Sequence, residues 1–90
     1  MIGQTPLHLA AKFGRLDICR LIIERVEDKN PADNNGVTPL HFASNIGHLD
    51  VCRLIIDNVQ DKYPADKYGM TPRDLAEQCD DIQVMQLFES

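Results

Sequence analysis

At 90 residues the chain is sized for one small domain, and a single closed core is marginal at that length. Nine Lys and Arg against fourteen Asp and Glu give a net charge of −5, which is not the footprint of a sequence-independent binder of nucleic acid or anionic membrane. The longest aliphatic runs, Leu21-Ile22-Ile23 and Leu54-Ile55-Ile56, are far too short to span a bilayer, and Met1-Ile2-Gly3 has no secretory-signal character. Three cysteines cannot all pair within one chain, so a reducing intracellular setting, cytoplasmic or nuclear, is expected.

Taken in chain order, the first feature is a repeat. Gly3-Gln4-Thr5-Pro6-Leu7-His8 recurs as Gly36-Val37-Thr38-Pro39-Leu40-His41 and again as Gly69-Met70-Thr71-Pro72-Arg73-Asp74, with glycines 33 residues apart each time. Residues 3–35 laid over 36–68 give 20 identities in 33 positions without a gap, whereas residues 69–90 keep six over 22. The chain reads as a tandem array of three units, 3–35, 36–68 and 69–90, within one domain spanning 1–90.

Thr5-Pro6 predicts an N-cap followed by a proline at the first helical position, where its missing N–H costs nothing. The short helix through Leu7, Ala10 and Ala11 should stop near Gly14, which is free to turn left-handed. Leu16, Cys19, Ile23 and Val26 then predict the apolar stripe of a second helix. Pro31, Asn34 and Asn35 ahead of Gly36 are turn chemistry. The second unit repeats this with Thr38-Pro39, Gly47 and the stripe Leu49, Cys52, Ile56 and Val59. Two short helices cannot bury an apolar face alone, so neighbouring units must stack, with Ala10, Ala43 and Ala76 as the small residues that let them approach.

Thr-Pro-Leu-His, the alanine after it, Gly-x-Leu-Asp and Leu-Ile-Ile at a 33-residue period resemble the ankyrin repeat over residues 3–90. The resemblance implies an all-α solenoid of stacked helix-turn-helix pairs joined by hairpin-like loops. It also implies that His8 and His41 bond their threonine hydroxyls and neighbouring loop backbone. Val26 and Val59 depart from it, standing where the family usually ends the second helix with glycine. Pro31 and Pro64 should make the hairpin arm irregular. The third unit, at net −4, resembles a closing repeat with a solvent-facing surface. The first keeps the apolar pattern of an internal repeat, as expected of a piece of a longer array or of a built sequence, and this invites weak self-association.

No catalytic constellation is present. His8, His41 and His48 with Cys19, Cys52 and Cys79 lack zinc-ligand spacing, and Cys19 and Cys52 read as buried small hydrophobes on the second-helix stripe. Asp33-Asn34-Asn35-Gly36 fails as a calcium loop: with Gly36 at position six, Phe42 falls where the twelfth-position carboxylate should be. No glycine-rich phosphate loop exists, and no cofactor is expected. The expectation is a non-enzymatic protein-binding scaffold. Its rivals are a regulatory or targeting segment of a larger enzyme or channel, and a designed or truncated array without a partner.

Carried over by resemblance, the protein-binding positions on the concave face are Gln4, Lys12 and Phe13, then Asn34, Asn35, Val37, Asn45 and Ile46, then Lys67, Tyr68, Met70, Gln78 and Cys79. The residues agree in part, because the near-identical first two units differ at these places: Gln4 against Val37, Lys12 against Asn45, Phe13 against Ile46, Asn34-Asn35 against Lys67-Tyr68. Phe13, Ile46, Val37, Tyr68 and Met70 would form an apolar strip suited to an interface. Asn30 sits where some ankyrin repeats carry a hydroxylated asparagine, but its counterpart is Tyr63, so at most one unit qualifies.

Overall fold

Thr5, Thr38 and Thr71 each open a helix. Their hydroxyls accept from the backbone N–H of His8, His41 and Asp74, whose side chains accept in return from the threonine N–H. The computed structural model describes residues 3–89; Met1 and Ile2, in the start read for a secretory signal, and Ser90, at the other end of the expected 1–90 domain, lie outside the described residues. Six helices follow in order among the described residues: α1 (Pro6–Lys12), α2 (Leu16–Ile23), α3 (Pro39–Ile46), α4 (Leu49–Asn58), α5 (Pro72–Gln78) and α6 (Ile82–Glu89). There is no strand among the described residues.

The helix pairs stack as an all-α solenoid in two layers. The first helices form one layer, α1 on α3 and α3 on α5, and the second helices form the other, α2 on α4 and α4 on α6. Ala10, Ala43 and Ala76 are buried in the core, where the absence of a longer side chain allows close helix approach. α1 and α3 are followed by left-handed glycines, Gly14 (φ +68°) and Gly47 (φ +93°). Asp80 holds the same place after α5 with φ +54°, a conformation that costs a side-chain-bearing residue free energy. Asp80→Gly is therefore expected to raise the urea midpoint, with a gain of about 0.5–1 kcal/mol.

The second helices correct two sequence expectations. α2 ends at Ile23, so Val26 lies beyond the helix and is exposed rather than part of a buried stripe. In α4 the fully buried residues are Val51, Cys52 and Ile55, while Ile56 and Val59 are only partly buried. A run such as Leu54-Ile55-Ile56 is apolar on several faces, and the flanking helices α2 and α6 select the one that is buried. In place of a terminal glycine, the Lys29 ammonium donates to the carbonyls of Ile23 (2.6 Å) and Val26 (2.7 Å). A cation thus closes the negative end of α2. α4 runs to Asn58, whose side-chain amide donates to the Leu54 carbonyl at 2.7 Å.

The two ends of the stack differ chemically. The residues that face the next pair, Leu7, Ala11 and Ile23, are buried; at the same places the last pair carries Arg73, Glu77 and Glu89. Arg73 bridges both acids, at 3.0 Å to Glu77 and 3.8 Å to Glu89, and so gives that end a wettable surface. The opposite end stays apolar. Ile18 is 38% exposed, whereas Val51 and Val84 at the same position are 1% and 0% exposed.

Candidate protein-binding surface

The loop between α2 and α3 turns on Asp33. Its carboxylate accepts from the N–H groups of Asn35 (2.8 Å) and Val37 (2.9 Å) and from the Gln4 amide, while Gly36 takes the left-handed turn at φ +77°. Partial burial would raise the Asp33 pKa, but the N–H donors of Val37 and Asn35 and the Gln4 amide outweigh it and hold the carboxyl below its ordinary range. Asp66 builds the next tip in the same way with Tyr68 and Met70. The Lys67 N–H donates to the Asn35 carbonyl at 2.8 Å, tying one tip to the other. These carboxylates are occupied in building the turns. No group of three or more His, Cys, Asp or Glu side chains placed to hold a metal exists among the described residues.

Histidines fasten the tips to the helices. His8 Nε2 donates to the Val37 carbonyl at 2.7 Å and His41 Nε2 to the Met70 carbonyl at 2.8 Å, while each Nδ1 faces its own capping threonine. This network assigns both rings the neutral form with the proton on Nε2. Asp74 completes the last capping box through its Oδ2, 2.9 Å from the Thr71 N–H, but as an acceptor it has no donor to offer onward. Val37 and Met70 are consequently half-buried, with their carbonyls engaged.

The remaining expected residues fall at helix ends and loop tips. Phe13 is the C-cap of α1, Ile46 the last residue of α3 and Cys79 the C-cap of α5. Phe13 is 66% exposed and Ile46 49%, so neither packs down onto its own helix pair. The Lys12 ammonium stands 5.7 Å from the Phe13 ring centre and 5.9 Å from that of Phe42, placing a half-buried cation between two rings. Asn45 and Cys79 meet across α3 and α5, the thiol donating to the Asn45 carbonyl at 3.4 Å, and Gln78 is exposed beside them. At the tips Asn34 and Asn35 are exposed, and Lys67 lies 5.1 Å from the ring of Tyr68, which is 77% exposed. Gln4 is half-buried, its amide donating to Asp33 and its oxygen buried without a partner among the described residues.

Sequence reasoning passed over Phe42. It lies four residues before Ile46 on α3 and meets the His8 ring edge-on at 6.0 Å, leaning back over α1. Its difference from Leu9 at the same place in the first unit was the available signal. Asn30 is half-buried, and its Oδ1 accepts from the Leu40 N–H at 3.0 Å.

Cys19 and Cys52 are fully buried, and burial pushes both thiols up to about 11. Ellman titration of the native protein is expected to count one reactive thiol, Cys79, and titration in denaturant three.

A family model described as ankyrin repeats, in three copies, matches residues 7–88. A search of the curated proteins finds no match. No helix among the described residues is long and apolar enough to cross a membrane. With its Thr-Pro capping boxes, His-to-carbonyl ties and two helical layers in place across that span, the chain belongs to the ankyrin repeat family.

Proposed function

We propose that this chain binds a protein partner through the concave surface made by its first-helix ends and loop tips, and that it carries out no catalysis. Ankyrin repeats are generally protein-interaction modules without enzymatic activity, which gives the coarse function. The finer reading rests on one observation. Phe13, Ile46 and Tyr68 stay exposed at positions where the first two repeats, otherwise nearly identical, differ. Exposed rings flanked by Lys12 and Lys67 are the aromatic-and-cation composition that anchors interfaces. The loop tips are bonded to one another through backbone and to the helices through the His8 and His41 rings, so this surface is preformed and little ordering entropy is lost when a partner arrives. Gln4, Val37 and Met70 contribute by shaping the tips, and Asn34, Asn35, Asn45, Gln78 and Cys79 supply the polar rim.

The test is affinity capture with quantitative comparison of two triple variants. Phe13→Ser/Ile46→Ser/Tyr68→Ser is expected to lose the proteins retained by the parent chain. Arg20→Ser/Arg53→Ser/Gln83→Ser, all exposed on the second helices, is expected to keep them. Equal losses in both variants, or none in the first, would place the interface elsewhere.

A further inference from the structure

The chain has five asparagines, and four of them are held or shielded. Asn30 accepts from the Leu40 N–H through Oδ1 and precedes Pro31, whose nitrogen carries no proton. Asn45 accepts from the Cys79 thiol and precedes the branched Ile46. Asn58 donates to the Leu54 carbonyl and precedes the branched Val59. Asn34 lies against Gly3 and precedes a second asparagine.

Asn35 differs on every count. It is exposed, and its side-chain amide has no hydrogen-bond partner among the described residues. The residue after it is Gly36, which has no Cβ to hinder approach to its nitrogen. The fold requires that glycine: its φ is +77°, and a Cβ there would meet the Asp66 Cα at 2.9 Å. The asparagine is not required in the same way, since Tyr68 holds its place in the next loop. The loop also engages the backbone around this pair. The Gly36 N–H donates to the Asp33 carbonyl at 3.0 Å, the Asn35 N–H to the Asp33 carboxylate at 2.8 Å, and the Asn35 carbonyl accepts from the Lys67 N–H at 2.8 Å.

We infer that Asn35 is a site of spontaneous deamidation, and that the folded loop holds the reaction back until its tip opens. Base removes the Gly36 amide proton and the nitrogen attacks Asn35 Cγ. A C–N bond forms, the bond from Cγ to the amide nitrogen breaks, and the leaving group takes up a proton and departs as ammonia. Water then opens the cyclic imide at either carbonyl. One opening leaves aspartate; the other leaves isoaspartate, with the main chain routed through the former side chain. Water is the only co-reactant, and nothing is oxidised or reduced. A Gly36 N–H bonded to a carbonyl is shielded from base and fixed in the turn, so the reaction waits on local opening. Either product adds a carboxylate to surface positions that carry Lys12 and Lys67 and no acid. Isoaspartate also shifts the carbonyl joined to Gly36, which takes the acceptor away from the Lys67 N–H and loosens one tip from the other. The modification itself does not depend on this surface binding a partner.

The experiment incubates the 90-residue chain at pH 7.5, native and unfolded in urea. Each asparagine is followed by peptide mapping with mass spectrometry and by isoaspartyl methyltransferase labelling. Conversion is expected at Asn35 ahead of the other four, to both products, and roughly tenfold faster in urea, the factor that releasing one hydrogen-bonded turn provides. Asn35→Gln should remove the labelling. Asp33→Ala takes away the side chain that braces the turn and leaves the reacting pair untouched; it should convert faster than the parent while circular dichroism still shows the helices. If that variant loses its helices, the ratio of native to urea rates decides. In the purified isoaspartate form the Lys67 amide should exchange faster with solvent. Conversion led by another asparagine, or none at Asn35 in urea, overturns the site. Equal native and urea rates, or a folded Asp33→Ala chain no faster than the parent, overturn the restraint by the loop, and an unchanged Lys67 amide overturns the loosening of the tips.

Discussion

His41→Ala is expected to lower the unfolding free energy by about 2–4 kcal/mol, read from urea denaturation at pH 7.5. The ring is fully buried and serves two neighbours at once. Nδ1 accepts from the Thr38 N–H at 3.0 Å to close the capping box, and Nε2 donates to the Met70 carbonyl at 2.8 Å, tying α3 to the following loop. Removing the ring leaves a buried N–H and a half-buried carbonyl unpaired and opens a void between repeats. His41→Asp separates the two duties. It keeps the capping box, as Asp74 does in the last repeat, and discards the bridge; its loss should therefore be smaller than that of alanine yet well above zero.

The same residue makes stability depend on pH. Burial is the main cause holding the His41 pKa below 6.5, and it outweighs the raising effects of the Met70 bond and of Asp66 and Asp33. A depressed folded pKa means that the unfolded chain takes up the proton first. Stability is then at its plateau above 6.5 and falls as the pH drops below it, until folded His41 itself titrates. Asp33, held low by its N–H donors, adds a second and separate loss below 3.8. The urea midpoint of the parent chain should decline through the first window, and that of His41→Gln should decline less there.

Gly14→Ala is expected to cost about 2–3 kcal/mol, against about 1 kcal/mol for Gly69→Ala. Both glycines are left-handed, at φ +68° and +79°, so both substitutions carry the backbone penalty. Only Gly14 also lies beneath a neighbour. A Cβ there would meet the His48 ring at 2.7 Å, whereas nothing lies within 4 Å of one at Gly69. His48 Nε2 donates to the Lys12 carbonyl at 3.1 Å, so pushing the ring away also breaks a bond between the first two repeats. The difference between the two midpoints isolates that contact. Equal costs would mean that the His48 ring swings aside freely.

Features governed within one turn of chain were legible beforehand. Thr-Pro steps start helices and isolated glycines end them because capping and left-handed backbone need only the residue and its nearest neighbours. The lysine closing α2 lay within this reach too, three residues beyond Val26, but its role depends on how the loop folds back. The candidate surface was half legible. The variable positions marked Phe13, Ile46 and Tyr68, while Val37 and Met70 gave no sign that their carbonyls would be taken by histidines 29 residues earlier.

The sequence by itself determined the repeat, the helix starts, the buried cysteines and the charged surface of the third pair, all of them written in residue type and spacing. Only the tertiary structure decided which side of each Leu-Ile-Ile run is buried and why Ile18 faces water where Val51 does not. The reason is that burial belongs to a pair of surfaces. A side chain at a fixed place in the repeat is core or surface according to whether another repeat lies against it, and the residue's own letter does not record that.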